Sequence, residues 1–296
     1  MRGVPPHDWI ACDWGTSNLR VWAMSGGTPV AEASSDRGMG SLAPDQFPTA
    51  LDELLSPWDT TAPVIACGMV GARQGWTEAP YVAVPCPPLA PSLTPAPGPR
   101  RVLLIPGVSQ LRPPDVMRGE ETQVAGFLAL NPGWDGVLCL PGTHTKWVHL
   151  SAGEIVSFRT AMTGELFALL SRTSVLRHAM ADTDASEAFD AAVAETLSRP
   201  ERLAADLFSI RAGHLLEGRD DGRDRLSGLL IGAELAALRP YWLGQAVAVV
   251  GEGAPGSAYV RALTTLCAQV TEARAETVTL AGLTAAWRTW RGRVDA

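Results

Sequence analysis

Between residues 9 and 35 the apolar and β-branched positions fall into three short runs, WIACDW, LRVWAMS and TPVAEAS, split by GTSN and by a Gly-Gly pair. Short runs separated by glycine turns predict three strands joined as hairpins. Residues 45–58 read as a helix. APVIACGMV (62–70) predicts a buried strand running into a glycine loop. Seven prolines then fall between residues 85 and 99. They exclude a helix or a central strand and predict a surface excursion. VLLIPGV (102–108) returns to the sheet. MRGEETQVAGFLAL (117–130) predicts a helix with acids in its first turn, where the helix dipole favours them.

Residues 136–160, GVLCLPGTHTKWVHLSAGEIVSFRT, repeat the opening layout of strand, Gly-Thr turn, strand, glycine turn, strand. At a constant offset of 127, Gly15 meets Gly142, Thr16 meets Thr143, Val21 meets Val148 and Gly26 meets Gly153. Both turns and all three runs stay in phase, which points to internal duplication. Residues 164–238 are mostly helical, with breaks near Pro200 and at EGRDDGRD. AVAVV predicts another strand, SAYVRALTTLCAQV a helix and AGLTAAWRTWRG a closing helix. The chain therefore reads as two α/β halves, each opened by a meander with a Gly-Thr first turn. Such turns offer backbone N–H groups and hydroxyls to a polyphosphate.

Composition narrows the function classes. The chain has 296 residues, is 46% hydrophobic and carries a net charge of −7. Its 24 Lys and Arg are dispersed, with no basic stripe to follow a nucleic-acid backbone. A small anionic substrate stays open. The cysteines, Cys12, Cys67, Cys86, Cys139 and Cys267, are odd in number and lack a C-x-x-C pair, which argues against a disulfide framework and against zinc. Cys12, Cys67 and Cys139 sit in apolar runs and are expected to be buried thiols. No apolar run approaches membrane-spanning length, and MRGVPPHDWIACDWG has no signal-peptide core. The expected location is the cytoplasm, with no membrane or nucleic-acid partner.

Three stretches carry candidate chemistry. DWGTSNLR ends a strand on Asp13 and follows it with Gly15, Thr16, Ser17 and Asn18. Glycine permits close approach of a phosphate tail, the next residues donate hydrogen bonds, and a carboxylate serves its magnesium, directly or through water. The plain alternative is an Asp-Gly hairpin. PGTHTKW supplies Gly142, Thr143, His144, Thr145 and Lys146 in the matching turn; there His144 also reads as a solvated or capping residue. AVAVVGEGAPG is a strand followed by G-x-G-x-x-G and a helix, the pattern of a dinucleotide turn. Only 40 residues follow Gly256, too few for the rest of a dinucleotide domain.

Asp13–Arg20 and Pro141–Trp147 resemble the two phosphate motifs of the sugar-kinase/actin superfamily. More narrowly, GMVGARQGW (68–76), MRGEETQ (117–123), PGTHTKW (141–147), FRTAMTGEL (158–166) and SGLLIGAE (227–234) together resemble the 2-dehydro-3-deoxygalactonokinase family, from about residue 9 to the end. Each motif alone is weak; five in this order are specific. The resemblance implies a two-domain α/β actin-like ATPase fold of ribonuclease-H-like halves, with the active site in the interdomain cleft. The expected domains are 1–132 and 133–276, with the helix 277–296 packing back on the first. The implied activity is ATP- and magnesium-dependent phosphorylation of 2-dehydro-3-deoxy-D-galactonate on its 6-hydroxyl, in galactonate catabolism.

The resemblance also implies site residues. Asp13 would serve magnesium. Gly15, Thr16, Ser17, Asn18, Gly142, Thr143, His144 and Thr145 would hold the phosphates, and Gly251 and Gly253 the adenosine, with Glu252 an odd acid between them. The base is Glu120 or Glu121, where many related kinases use Asp. Adjacent helical residues point about 100° apart, so one of them faces the acceptor, and Glu120 is favoured. Helix-dipole stabilisation alone also accounts for both acids. Arg73, Arg118 and Arg159 are candidates for the substrate carboxylate, since Arg suits bidentate capture. Thr163 and Glu165 shape the acceptor site or cap the following helix. Trp14, Trp76 and Trp147 read as packing residues. A homodimer is left open. The competing readings are an actin- or chaperone-like nucleotide switch and a nicotinamide oxidoreductase.

Overall fold

The computed structural model describes residues 4–58, 60–181, 186–266 and 268–294; Cys267 and the residues at both ends of the chain lie outside that set. The chain divides into two compact units. One gathers the residues up to Trp134, Ser151–Ser157 and the chain from Ala275 onward; the other gathers Asp135–Leu150 and Phe158–Arg274.

In the first unit β1 (Trp9–Trp14), β2 (Leu19–Ser25) and β3 (Thr28–Ser35) form the expected meander. The helix α1 (Phe47–Leu55) leads to β4 (Val64–Cys67), which lies parallel to β1. After β5 (Tyr81–Ala83) come β6 (Thr94–Pro95), from the proline-rich excursion, and β7 (Val102–Leu104). The sheet order is β3-β2-β1-β4-β7-β6, so the proline-rich segment touches only the edge. Central β1 is apolar on both faces because both are covered. Ile10, Cys12 and Trp14 pack with Phe47, Leu51 and Leu55 of α1. Trp9 and Ala11 pack with Leu283, Ala286 and Trp287 near the end of the chain, and the Trp9 and Trp287 rings stack with centroids 5.2 Å apart.

VLLIPGV does not stay in one sheet. Its first half is β7; its second half opens β8 (Gly107–Leu111), which joins β5 and β9 (Pro114–Met117) in a separate three-stranded sheet. The helix expected from residue 117 begins three residues later, as α2 (Glu120–Leu130). Met117 still pairs with Val108, and Gly119 at φ +106° makes the turn between strand and helix.

The second unit opens with β10 (Gly136–Leu140), β11 (Thr145–Ser151) and β12 (Glu154–Ala161). The Ala-rich stretch resolves into α3 (Thr163–Arg172), α4 (Ser186–Ser198), α5 (Leu203–Glu217) and α6 (Gly222–Ala237), with the breaks at Pro200 and residues 218–221 where the sequence puts them. After the short α7 (Arg239–Trp242) come β13 (Ala246–Val250), α8 (Gly253–Thr265), β14 (Gln269–Ala273) and α9 (Ala275–Val294). The run read as one helix, SAYVRALTTLCAQV, thus ends as helix at Thr265 and its last residues enter β14. The order β12-β11-β10-β13-β14 repeats that of the first sheet, with β13 and β14 parallel to β10 as β4 and β7 are to β1. Val137, Cys139, Val247 and Val249 meet Phe189, Ile231 and Leu263 from three helices in its core.

Candidate active site

In the first unit, side chains from three segments meet at the C-terminal edge of the sheet. Asp13 is the penultimate residue of β1, beside Cys67 of β4. Gly68 follows at φ +92°, where a Cβ would lie 2.7 Å from the Trp14 carbonyl oxygen. A Cβ on Gly119 would lie 3.2 Å from the Gly68 Cα. Both positions need glycine, and their closeness sets the start of α2 against the ends of β1 and β4.

The turn after β1 is closed by the Gly15 N–H donating to the Asn18 carbonyl at 2.9 Å. Residues 38–40 back it: Met39 N donates to Gly15 O and Gly40 N to Thr16 O, both at 2.9 Å. Thr16, Ser17 and Asn18 are exposed. Asp13 is partly buried; Arg20 Nη2 donates to its Oδ2 at 2.6 Å. Cys67 Sγ lies 3.9 Å from Asp13 Oδ1, and burial, with Asp13 and Glu121 nearby, holds that thiol well above its ordinary pKa. Among the described residues no group of three His, Cys, Asp or Glu side chains could hold a metal. One carboxylate beside a donor-rich turn fits a magnesium ion carried by a phosphate chain, since that ion keeps most of its waters.

The two glutamates of α2 part company. Glu121 is fully buried; its carboxyl accepts from Gly119 N–H at 2.6 Å and from the Thr122 hydroxyl at 3.1 Å. Burial, then the neighbouring Glu120, pushes its pKa up to about 8. Glu120 is half-buried and accepts from the Arg118 N–H at 3.0 Å. Of the three arginines, Arg73 is exposed on the loop after β4, and Arg159 is exposed on β12. Arg118 is buried: Nη2 donates to the Ala79 carbonyl at 2.8 Å, and the guanidinium lies 4.3 Å from the Tyr81 ring centroid. Trp14, Trp76 and Trp147 are buried packing residues with their indole N–H groups bonded internally.

The second unit holds a cavity of about 640 Å³. Gly142 and Thr143 of the matching turn, Thr163 and Gly164 of α3, and Ala254 and Pro255 of α8 contribute to its wall. Arg223, Asp224 and Ser227 of α6 complete another side. The start of α3 is docked on the turn: Glu165 N donates to Thr143 O at 2.8 Å, and a Cβ on Gly164 would lie 2.1 Å from Gly142 O. Gly142, Thr143 and His144 are exposed, and His144 Nε2 lies 2.6 Å from Glu165 Oε2. Thr145 is buried with its hydroxyl on the Tyr259 hydroxyl at 2.9 Å, and buried Lys146 donates to Thr160 Oγ1, also at 2.9 Å. Thr163 gives its hydroxyl to buried Glu234.

The glycine loop after β13 reaches the cavity through Ala254 and Pro255 rather than Gly251 or Gly253. Gly253, at φ +68°, opens α8, and buried Gly256 packs on Gly251. Glu252 turns to Arg274, 3.2 Å away. Sequence reasoning missed Arg223, Asp224, Glu234 and Tyr259. The motif SGLLIGAE contains Ser227 and Glu234, which is the signal that pointed there.

Residues 13–286 match the family model described as 2-keto-3-deoxy-galactonokinase. The chain belongs to this kinase family. It is 42% identical, over 95% of its length and 96% of the relative's, to the probable 2-dehydro-3-deoxygalactonokinase of Rhizobium meliloti strain 1021. It is 36% identical to the 2-dehydro-3-deoxygalactonokinase of Escherichia coli strain K12, over 93% and 96% of the two chains. A crystal structure from Sinorhizobium meliloti, of a protein provisionally given the same name, superposes with a TM-score of 0.87 at 41% identity, covering 95% and 96%. The fold alone is shared with the activator of 2-hydroxyisocaproyl-CoA dehydratase from Clostridium difficile, at a TM-score of 0.52 and 13% identity over 97% of each chain. The chain has this mixed α/β, actin-like ATPase fold. Nothing in this kinship supports the nucleotide-switch or nicotinamide readings. No helix among the described residues is long and apolar enough to cross a membrane.

Proposed function

We propose that the protein phosphorylates 2-dehydro-3-deoxy-D-galactonate on its 6-hydroxyl, with ATP and magnesium, as a step of galactonate catabolism. The observation that carries this reading is near full-length kinship with two kinases named for that acceptor. The cavity of the second unit receives the nucleotide, with the exposed N–H and hydroxyl groups of Gly142, Thr143 and His144 on its phosphates. In the first unit the turn Gly15–Asn18 offers donors of the same kind to a phosphate. Asp13 would hold the hydrated metal, and Arg20 orients that carboxylate. Magnesium, when bound, neutralises charge building on the phosphate oxygens.

Glu120 orients the acceptor hydroxyl and takes its proton. Glu121, fully buried and holding its own proton near neutrality, is poorly placed for that exchange. Arg73, exposed on its loop, receives the substrate carboxylate, while Arg118 braces the neighbouring backbone from beneath. Transfer then depends mainly on positioning and charge stabilisation.

The test is a coupled ADP-release assay against sugar acids and neutral sugars of equal length. Turnover should be confined to 2-oxo-3-deoxy sugar acids and should vanish in Asp13→Asn with an unchanged melting curve. ADP release that needs no acceptor, or equal turnover of a neutral sugar, overturns the reading.

A further inference from the structure

Glu234 is a buried acid on α6 to which the proposed chemistry gives no part, yet three donors converge on it. Trp147 Nε1 of β11 donates to Oε1 at 2.6 Å. The Tyr259 hydroxyl of α8 donates to Oε2 at 2.7 Å, and the Thr163 hydroxyl, at the start of α3, donates to the same oxygen. The Tyr259 oxygen is in turn 2.9 Å from the Thr145 hydroxyl. Since Tyr259 spends its proton on Glu234, Thr145 is left as the donor to Tyr259. Two carboxylate oxygens have lone pairs enough for three donors, whereas an amide in their place turns an N–H toward one of them.

These partners are not scattered. Thr145 and Trp147 begin β11 directly after the Gly142–His144 turn. Thr163 begins α3, whose next two residues dock on that turn. Tyr259 lies on α8, whose first residues reach the same cavity. Thr145, Thr163 and Tyr259 themselves line it. One carboxylate therefore fixes three walls at once.

We propose that Glu234 is a positioning residue for the nucleotide, setting the distance between the Gly142–His144 turn and the start of α8. The inference rests on the cavity being the nucleotide site. Glu234 touches no substrate; it acts through Thr163, Tyr259 and Thr145.

The test separates nucleotide binding from turnover. Full-length wild type, Glu234→Gln and Tyr259→Phe are titrated with MgATP by calorimetry without sugar acid, and KM is then measured for each substrate. Nucleotide Kd should weaken roughly tenfold in Glu234→Gln and about threefold in Tyr259→Phe, the scale of mismatched buried hydrogen bonds. KM for ATP should follow, while KM for the sugar acid stays within about twofold, which general loosening of the fold would not produce. An unchanged Kd in folded Glu234→Gln, or equal loss for both substrates, overturns the proposal. Should Glu234→Gln not fold, Tyr259→Phe decides by the same criterion. Wild type that binds no MgATP overturns instead the nucleotide reading of the cavity, and this inference with it.

Discussion

Glu120 and Glu121 are chemically identical and adjacent, and the fold gives them different properties. Glu121 sits at zero exposure with its carboxyl tied to Gly119 and Thr122. Glu120→Gln should therefore lower kcat by about 10²–10⁴-fold with nucleotide binding kept, and Glu121→Gln should be milder. Steady-state kinetics on both single variants and the double variant measure this; a crippled Glu121→Gln beside a normal Glu120→Gln would reverse the assignment. Glu121 also makes a stability prediction. Its pKa is raised from 4.5 to about 8. Below the lower value both folded and unfolded states hold the proton. Between the two, only the folded state does, so the folded state binds more protons and stability falls as pH rises. The slope is at most about 1.4 kcal/mol per pH unit, ending near pH 8. Glu121→Gln removes that slope. Urea midpoints of the two proteins should converge toward pH 5 and diverge toward pH 8; parallel curves would exclude the buried titration. The motif MRGEETQ pointed to these acids, but their burial differs, and burial is not written in adjacent letters. Glu234 is the harder case. Its partners lie 87, 71 and 25 residues away along the chain, so no local pattern joins them.

At the scale of elements, the meanders and their duplication were legible because glycine turns and short apolar runs fix them locally. The small sheet of β5, β8 and β9 was not, because its strands are three to five residues long and only tertiary pairing separates β7 from β8. β14 was missed because its exposure pattern, with no fully buried residue, leaves no apolar signature after a helix. The closing helix was expected on the first domain, but its pairing with α2 was hidden, because no local pattern joins the two. A Cβ on Gly126 would lie 1.8 Å from the Val278 carbonyl oxygen, and one on Gly282 would lie 1.9 Å from that of Thr122. The helices thus meet backbone to backbone, and α2 carries Glu120. Gly282→Ala must push them apart. It should cost about 1–3 kcal/mol by overpacking and reduce kcat more than nucleotide affinity. Denaturant melts with matched nucleotide titrations check this; wild-type stability would mean that the contact yields freely.

For the molecule as a whole, a ligand that binds only the native state raises the melting temperature by mass action. MgATP should raise it and NAD should not; the opposite result would restore the dinucleotide reading of GEGAPG. The assignment of residues to units has a different consequence, for synthesis on the ribosome. The second unit uses chain only as far as Arg274, whereas the first draws on residues from Ala275 onward. The face of β1 that carries Trp9 and Ala11 is covered by Leu283, Ala286 and Trp287 of α9. The first unit to be translated is therefore the last that can be finished. Until α9 emerges, a row of tryptophan and aliphatic side chains near the N-terminus stays uncovered while more than a hundred later residues already have what they need to fold. That apolar face therefore stays exposed through most of translation, and a chain stopped before α9 should be prone to aggregate.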